Sequence, residues 1–195
     1  MFINLSYIHI LGDGRNMRIN KLEQSVIEKL NEHQKYFYVN LLSFIQELDC
    51  NHFSEIEILA KKDKKCNYFI EFNLLVKNRQ EIDVTIHIDY SQIIIDLAGW
   101  HENINFQRYS KDDLFQTIKS FLVFALSKNC KIIIYKSNNF AYKWDLYALE
   151  NNSWRFYSTT RLFIYNFFGK KTMKEKVSSL FQDSVIPKDF FMTYC

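Results

Sequence analysis

Hydrophobic and polar residues alternate strictly along EIDVTIHIDY, residues 81–90. Because successive side chains of a strand point to opposite faces, this alternation predicts a half-buried strand. The apolar face, which we expect at the centre of the core, carries Ile82, Val84, Ile86 and Ile88. The polar face carries Glu81, Asp83 and Asp89 and neither lysine nor arginine. The pattern therefore predicts an acidic strip on the surface of a sheet.

The first half of the chain contains a helical pattern followed by several strand patterns. After Asn20, apolar residues recur at steps of three and four up to Leu48, which predicts one long amphipathic helix. Asn20 and Glu23 have the spacing of a capping box at its start. Strands are predicted at 54–60, 68–77, 81–90 and 92–97, and the short connections between them indicate an antiparallel meander.

The second half repeats the order of helix and strands. Ser110 predicts the start of a helix over residues 110–129, and Asp113 has the spacing of its capping-box partner. Strands follow at 131–136, 141–150 and 153–167, separated by the turns SNN and ENN, and a short helix is expected around 171–182. We therefore predict an α+β fold forming a single domain over residues 1–195. Its antiparallel β-meander sheet should carry the long N-terminal helix and the central helix on one face.

Size and composition are those of a globular protein. The chain has 195 residues, of which 48% are hydrophobic, and a formal net charge of +3, so it is long enough to bury a substantial core. Its four cysteines are widely spaced, which favours free thiols, with Cys130 as a small core residue at the start of a strand. The N-terminus lacks a basic leader, and the apolar runs are shorter than the roughly 20 residues that span a bilayer. We therefore expect a cytoplasmic protein that does not contact membranes.

Motifs of catalysis and metal binding are missing from the sequence. The five histidines are dispersed, without an HExxH or HxH pair; they are His9, His33, His52, His87 and His101. GKKT at 169–172 resembles the end of a phosphate-binding loop but lacks the glycine that such a loop needs five residues earlier. GxSxG does not occur either. We expect no catalytic residues, no metal site and no cofactor.

Clustered basic and aromatic residues can indicate nucleic-acid binding or an interface. Lysines cluster at 61–65 and at 170–176. An RNA-binding sheet places aromatic and basic groups on its open face, whereas the open face of 81–90 is acidic. We therefore expect no direct contact with nucleic acid. Trp100, Trp144 and Trp154 are each expected in the core rather than at an interface.

Five segments in fixed order carry a resemblance. They are a strand ending in GWHENINF (99–106), the helix DDLFQTIKSFL (112–122), the strands KIIIYK (131–136) and AYKWDLYALE (141–150), and the turn NNSWRFYSTT (151–160). Together, over about residues 80–170, they resemble the immunity proteins of bacterial polymorphic and contact-dependent toxin systems. Members commonly carry a second histidine or acidic residue shortly after the Trp-His pair, where this chain has Asn103 and Asn105.

The resemblance implies a non-catalytic protein that binds and neutralises a cognate secreted bacterial toxin domain, most often a nuclease. Exposed carboxylates would complement the basic cleft of such a toxin. The expected partner-binding residues are Glu81, Asp83 and Asp89, with Glu71 and Asp96. A merely solvated outer face is the simpler interpretation of each residue taken alone.

A second class of function stays open at this point. A curved sheet backed by a long helix can enclose an apolar pocket, which is typical of a small-molecule-binding protein or a cofactor-free enzyme. A deep pocket with His87 or His101 and a carboxylate pointing inward would favour that class. The sequence also leaves open whether the long first helix packs within the chain or across a homodimer.

Overall fold

The computed structural model describes residues 21–106, 110–162 and 169–182. Within these ranges the chain combines helices with two antiparallel sheets, so the α+β class is as predicted and the single sheet is not. The helices are α1 (Gln24–Ile27), α2 (Glu32–Glu47) and α3 (Lys111–Ala125), with a 3-10 turn at Cys50–His52. The first sheet contains β1 (Phe53–Lys62), β2 (Tyr68–Val76), β3 (Val84–Ile88), β4 (Gln92–Leu97) and β5 (Trp100–Asn105). The second contains β6 (Cys130–Ser137), β7 (Phe140–Glu150), β8 (Ser153–Arg161) and β9 (Lys171–Val177).

The prediction of one long first helix is wrong, because the helical pattern is broken before α2. Asn31 stops the first turn and starts a new helix: its side chain accepts from the Gln34 backbone N–H, and the Gln34 side chain accepts from the Asn31 N–H. Gln34 Nε2 also donates to the Tyr68 carbonyl at 2.6 Å, which ties this helix end to the sheet. The predicted cap at Asn20 lies outside the described residues.

The first sheet is a meander in the order β1-β2-β3-β4-β5. Its inner face packs against α2, where Phe37 and Leu41 are fully buried. The predicted core of 81–90 is confirmed, since the four alternating apolar residues Ile82, Val84, Ile86 and Ile88 are all 0% exposed. Residues 81–83, however, precede β3 and pair with no neighbouring strand.

Helix α3 begins where the sequence predicts. The Ser110 side chain accepts from the Asp113 N–H and donates to the Asp113 carboxylate, and Asp112 and Asp113 both lie in the first turn. Two carboxylates at this end also complement the helix dipole. The apolar stripe of α3 is buried at Leu114, Ile118, Phe121, Leu122 and Ala125.

The second sheet has the order β8-β7-β6-β9. The short helix predicted around 171–182 is wrong, because Lys171–Val177 form β9 and pair with β6 from Ser137 to Lys131. Without β9 the N–H and C=O groups on that edge of β6 would lack strand partners, and this long-range pairing overrides local helical preference. Cys130 begins β6 and is fully buried, as predicted.

Both predicted asparagine turns are present in the second sheet. Asn138 and Asn139 connect β6 to β7, and Asn151 and Asn152 connect β7 to β8. All four have positive φ angles, between 48° and 68°. Asparagine tolerates this left-handed conformation, which two-residue hairpin loops require.

The two sheets meet at the turn between β4 and β5. Gly99 has a φ of +103°, and a Cβ there would lie 2.7 Å from Cε2 of the Trp144 indole. Next to it, Trp100 is 1% exposed and its Nε1 donates to Ser158 Oγ at 3.0 Å. One hydrophobic cluster runs from α2 through the first sheet and α3 to β6 and β7.

Candidate functional site

The outer face of the first sheet is acidic. Alternation on β1, β2 and β4 turns Glu55, Glu57, Glu71 and Asp96 to the side opposite the buried isoleucines, and we call this set the acidic sheet face. One row of aligned residues crosses all five strands: Glu57, Asn73, Thr85, Asp96 and His101. The next row contains Glu71, His87 and Asn103 between apolar residues. Carboxylates of three strands therefore share one surface.

Glu71 is the most enclosed carboxylate of the acidic sheet face: it is only 9% exposed, so its expected exposure is not found. Its Oε1 is 2.8 Å from Lys61 Nζ and 2.9 Å from Asn73 Nδ2, and its Oε2 is 3.3 Å from His87 Nδ1. Burial opposes its ionisation, but the Lys61 ammonium and the Asn73 amide together hold the pKa of Glu71 below its ordinary value. Glu71 is therefore a charged group that also organises the middle of the face.

The pKa of Asp96 is shifted in the opposite direction to that of Glu71. Burial raises the pKa of this carboxyl above its ordinary value, although the Gly99 N–H donates to it at 2.8 Å and His101 and His87 act to lower it. Asp96 faces His101 directly in the pairing of β4 with β5. It thus supports the Ala98–Gly99 turn and contributes a carboxylate to the surface.

Glu81 and Asp83, both expected at the partner surface, form contacts to distant parts of the chain. Glu81 is 6% exposed, with Oε2 2.6 Å from His52 Nε2 and Oε1 accepting from Ser179 Oγ at 2.8 Å. Asp83 lies 2.8 Å from Lys176 Nζ and also accepts from the Val76 N–H. The expectation of an exposed acidic strand end is wrong for Glu81, whose carboxylate is buried.

Asp89 lies at the other end of β3, in the turn before β4. Together with Asp63, Lys64, Lys65, Asn67 and Tyr90 it lines a groove of about 420 Å³. Its Oδ1 accepts the backbone N–H of Tyr90. The five predicted residues therefore occupy three places: Glu71 and Asp96 are together, Glu81 and Asp83 are at the junction with β9, and Asp89 is in the groove.

Two members of the acidic sheet face, Glu55 and Glu57, were not predicted. They alternate with the buried Ile56 and Ile58 along β1, which is the same pattern that drew attention to 81–90. The signal was therefore present in the sequence. Only the pairing of β1 with β2 shows that Glu57 and Glu71 share a face.

The histidines relevant to a pocket lie outside the apolar interior. His87 and His101 occupy outward positions in the register of β3 and β5, on the acidic sheet face. The inward positions of the same sheet, including Phe72 and Ile86, are 0% exposed beneath α2. Among the described residues, no group of three or more His, Cys, Asp or Glu side chains is placed to hold a metal ion.

Comparison of the chain with protein-family models, with curated proteins and with solved structures finds no match. Within the described ranges, no helix has both the length and the apolar character needed to cross a membrane.

Proposed function

We propose that this protein is a cytoplasmic immunity protein that binds and neutralises a cognate secreted bacterial toxin domain without catalysing a reaction. The observation that carries the proposal is the acidic sheet face. Four carboxylates from three strands lie on one side of a sheet whose other side is buried. A surface of this kind supports recognition of a basic partner.

The spacing of the carboxylates fits a nuclease cleft. Glu57 and Asp96 lie in one row and are three strands apart, which corresponds to roughly 14 Å at the usual strand separation. Two carboxylates at that separation, with the neutral Asn73 and Thr85 between them, resemble two phosphates of a short nucleic-acid segment. They would steer the approach of a basic cleft and occupy the place of the nucleic-acid substrate.

The pairing within the face also supports a docking role. Thr85 Oγ1 donates to Asn73 Oδ1 at 3.0 Å, and Asn73 Nδ2 donates to Glu71. These bonds hold side chains of neighbouring strands in place before a partner arrives. A pre-organised surface loses less conformational entropy on binding than a flexible one.

The outward placement of His87 and His101 is what favours the binder over a small-molecule pocket or a cofactor-free enzyme. Such a pocket would need these histidines, with a carboxylate, to point into the space between sheet and helix. That space is filled by side chains such as Phe37, Leu41 and Phe72, each 0% exposed.

The direct test is co-expression with the variable C-terminal domain of a large secreted toxin encoded immediately upstream. We expect the full chain to restore growth of cells that express this domain and to co-purify with it in a stoichiometric complex. Failure to rescue growth, with both proteins expressed and folded, would contradict the proposal. Rescue without a complex would contradict neutralisation by binding.

A further inference from the structure

The second sheet differs from the first in charge. Residues 127–182 contain ten lysines and arginines against three acidic residues, although the whole chain has an excess of only three positive charges. Its inner side is apolar, since Ile132 and Leu146 are 0% exposed. The outward positions of β6, β7 and β8 carry Tyr135, Tyr147, Trp154 and Phe156 together with Lys131, Lys143 and Arg161. We call this set the aromatic–basic face.

Two of its rings are open to solvent. Phe156 is 54% exposed, and Trp154, expected in the core, is 37% exposed. Both lie on β8, an edge strand of the sheet. Trp154 faces Leu149 and Phe156 faces Tyr147 in the pairing with β7. Neighbouring rings exposed on one face form an apolar patch of the kind that occurs at binding sites, whereas a single exposed ring does not.

Lysine ammonium groups are held beside the rings. Lys131 Nζ lies 4.4 Å from the centroid of Trp154 and 5.6 Å from that of Tyr147. Lys143 Nζ lies 4.4 Å from the centroid of Tyr135. Positive charge and π surfaces therefore alternate across three adjacent strands at the spacing of single side chains.

We propose that the aromatic–basic face binds single-stranded nucleic acid. Unpaired bases can stack on exposed rings while the phosphates meet nearby cations, and this mode tolerates many sequences. A duplex hides its bases and gains only the phosphate contacts. The expectation that the protein does not contact nucleic acid was decided by the acidic open face of strand 81–90, which belongs to the other sheet. The new inference does not depend on the proposed toxin partner.

Two carboxylates temper the positive charge of this face. Asp145 is 2% exposed, and its Oδ2 is 2.7 Å from Lys143 Nζ, so it lies beneath the lysine and positions it. Glu175 lies 3.7 Å from Lys131 Nζ, and its side chain is 61% exposed. Glu175 would repel phosphate. The proposal therefore predicts that Glu175→Gln binds single-stranded nucleic acid more tightly than the unchanged chain.

The aromatic rings favour nucleic acid over an acidic protein as the occupant. An acidic peptide would use the cations and gain little from planar exposed rings. Stacked bases use both the cations and the rings. Removing a ring should therefore weaken the binding of nucleic acid but not that of an acidic peptide. Tyr90, which is 62% exposed in the turn between β3 and β4, provides a matched aromatic control.

The experiment measures fluorescence anisotropy of labelled oligo(dT) and oligo(U) of about 12 nucleotides, a duplex of the same length and an oligoglutamate peptide. We expect both single strands to bind the full chain more tightly than the duplex or the peptide. Trp154→Ala should weaken binding about tenfold, Trp154→Phe should restore most of it, and Tyr90→Ala should leave it unchanged. Three phosphate contacts predict a slope of log K against log salt of about −2, reduced by about 0.7 in Lys131→Gln.

Three results would overturn the proposal. One is no binding of either single strand at low salt by a folded protein. Another is equal binding by Trp154→Ala and the unchanged chain, which would mean that no base stacks there. The third is binding of the duplex or of oligoglutamate that is as tight as binding of the single strands. That result would mean that the face attracts negative charge in general and does not recognise unpaired bases.

Discussion

The outer faces of the two sheets differ in which groups surround their charged side chains. On the acidic sheet face, Glu71 is joined to Lys61, Asn73 and His87, so charge is shared among polar neighbours. On the aromatic–basic face, Lys131 and Lys143 lie against aromatic rings. The first arrangement leaves a surface with an excess of carboxylates, and the second leaves rings and cations interleaved. The sign of charge on one strand therefore does not describe the whole molecule.

The contrast between a structural and a surface carboxylate is clearest for Glu81 and Glu57. Glu81 is buried between His52 and Ser179, whereas Glu57 makes one long contact, 3.4 Å, to Asn73. Glu81→Ala should lower the free energy of unfolding by about 3 kcal/mol, because it leaves buried polar partners unpaired. Chemical denaturation measures this.

Glu57→Ala is the matched control for Glu81→Ala. It should change the free energy of unfolding by less than about 0.5 kcal/mol, the usual range for surface positions. Equal destabilisation by the two substitutions would contradict the distinction between the buried Glu81 and the half-buried Glu57.

Gly99→Ala tests the junction that orients the two faces. A side chain there is strained at a φ of +103° and would collide with the Trp144 indole. We expect a loss of about 2 kcal/mol in the free energy of unfolding, measured by thermal or chemical denaturation. Phenylalanine is smaller than the indole that the new Cβ would meet. Combining Trp144→Phe with Gly99→Ala should therefore recover part of this loss in stability. No recovery at all would assign the whole effect to backbone strain.

Glu71 and Asp96 should give opposite pH profiles. The lowered pKa of Glu71 stabilises the fold above the ordinary glutamate pKa, and this stability is lost as pH falls through the folded value. The raised pKa of Asp96 favours the protonated form, so its contribution is present at low pH and lost as pH rises.

Unfolding of Glu71→Gln and Asp96→Asn from about pH 3 to about pH 7 checks these signs. As pH rises, Glu71→Gln should become less stable relative to the unchanged chain, by about 1 kcal/mol at neutral pH. Asp96→Asn should become more stable relative to it. Parallel profiles for the two variants would refute the assigned directions.

Phe156→Ala should have only a small effect on stability. The ring is 54% exposed, so its removal should change the free energy of unfolding by about 0.5 kcal/mol. Urea denaturation with the fully buried Phe72→Ala as comparison, for which about 4 kcal/mol is expected, measures the contrast. A large loss in Phe156→Ala would mean that the aromatic–basic face is part of the core.

The sequence correctly predicted those elements whose conformation is decided by residues close together in the chain. The alternation of 81–90 identified the buried isoleucines, Ser110 identified the start of α3, and the paired asparagines identified both hairpin turns. In each case neighbouring residues decide the conformation. The single long helix failed because the capping box at Asn31 interrupts an otherwise continuous apolar stripe.

Contacts between distant segments explain what the sequence did not reveal. Glu81 contacts Ser179, 98 positions away, and Asp83 contacts Lys176, 93 positions away. These contacts depend on β9, which was predicted as a helix because its pairing with β6 cannot be read from residues 171–182 alone. The acidic sheet face was half predicted, since Glu71 and Asp96 were named and Glu55 and Glu57 were not.

The most direct test of the acidic sheet face is calorimetric titration of the proposed cognate toxin domain with the unchanged chain and with Glu55→Lys/Glu57→Lys. Trp154→Ala, on the other sheet, serves as the matched control, and denaturation confirms that each variant is folded. We predict that the double charge reversal weakens binding about a hundredfold, while Trp154→Ala binds like the unchanged chain. Unchanged affinity of the double variant, or loss of affinity only in Trp154→Ala, would contradict the account.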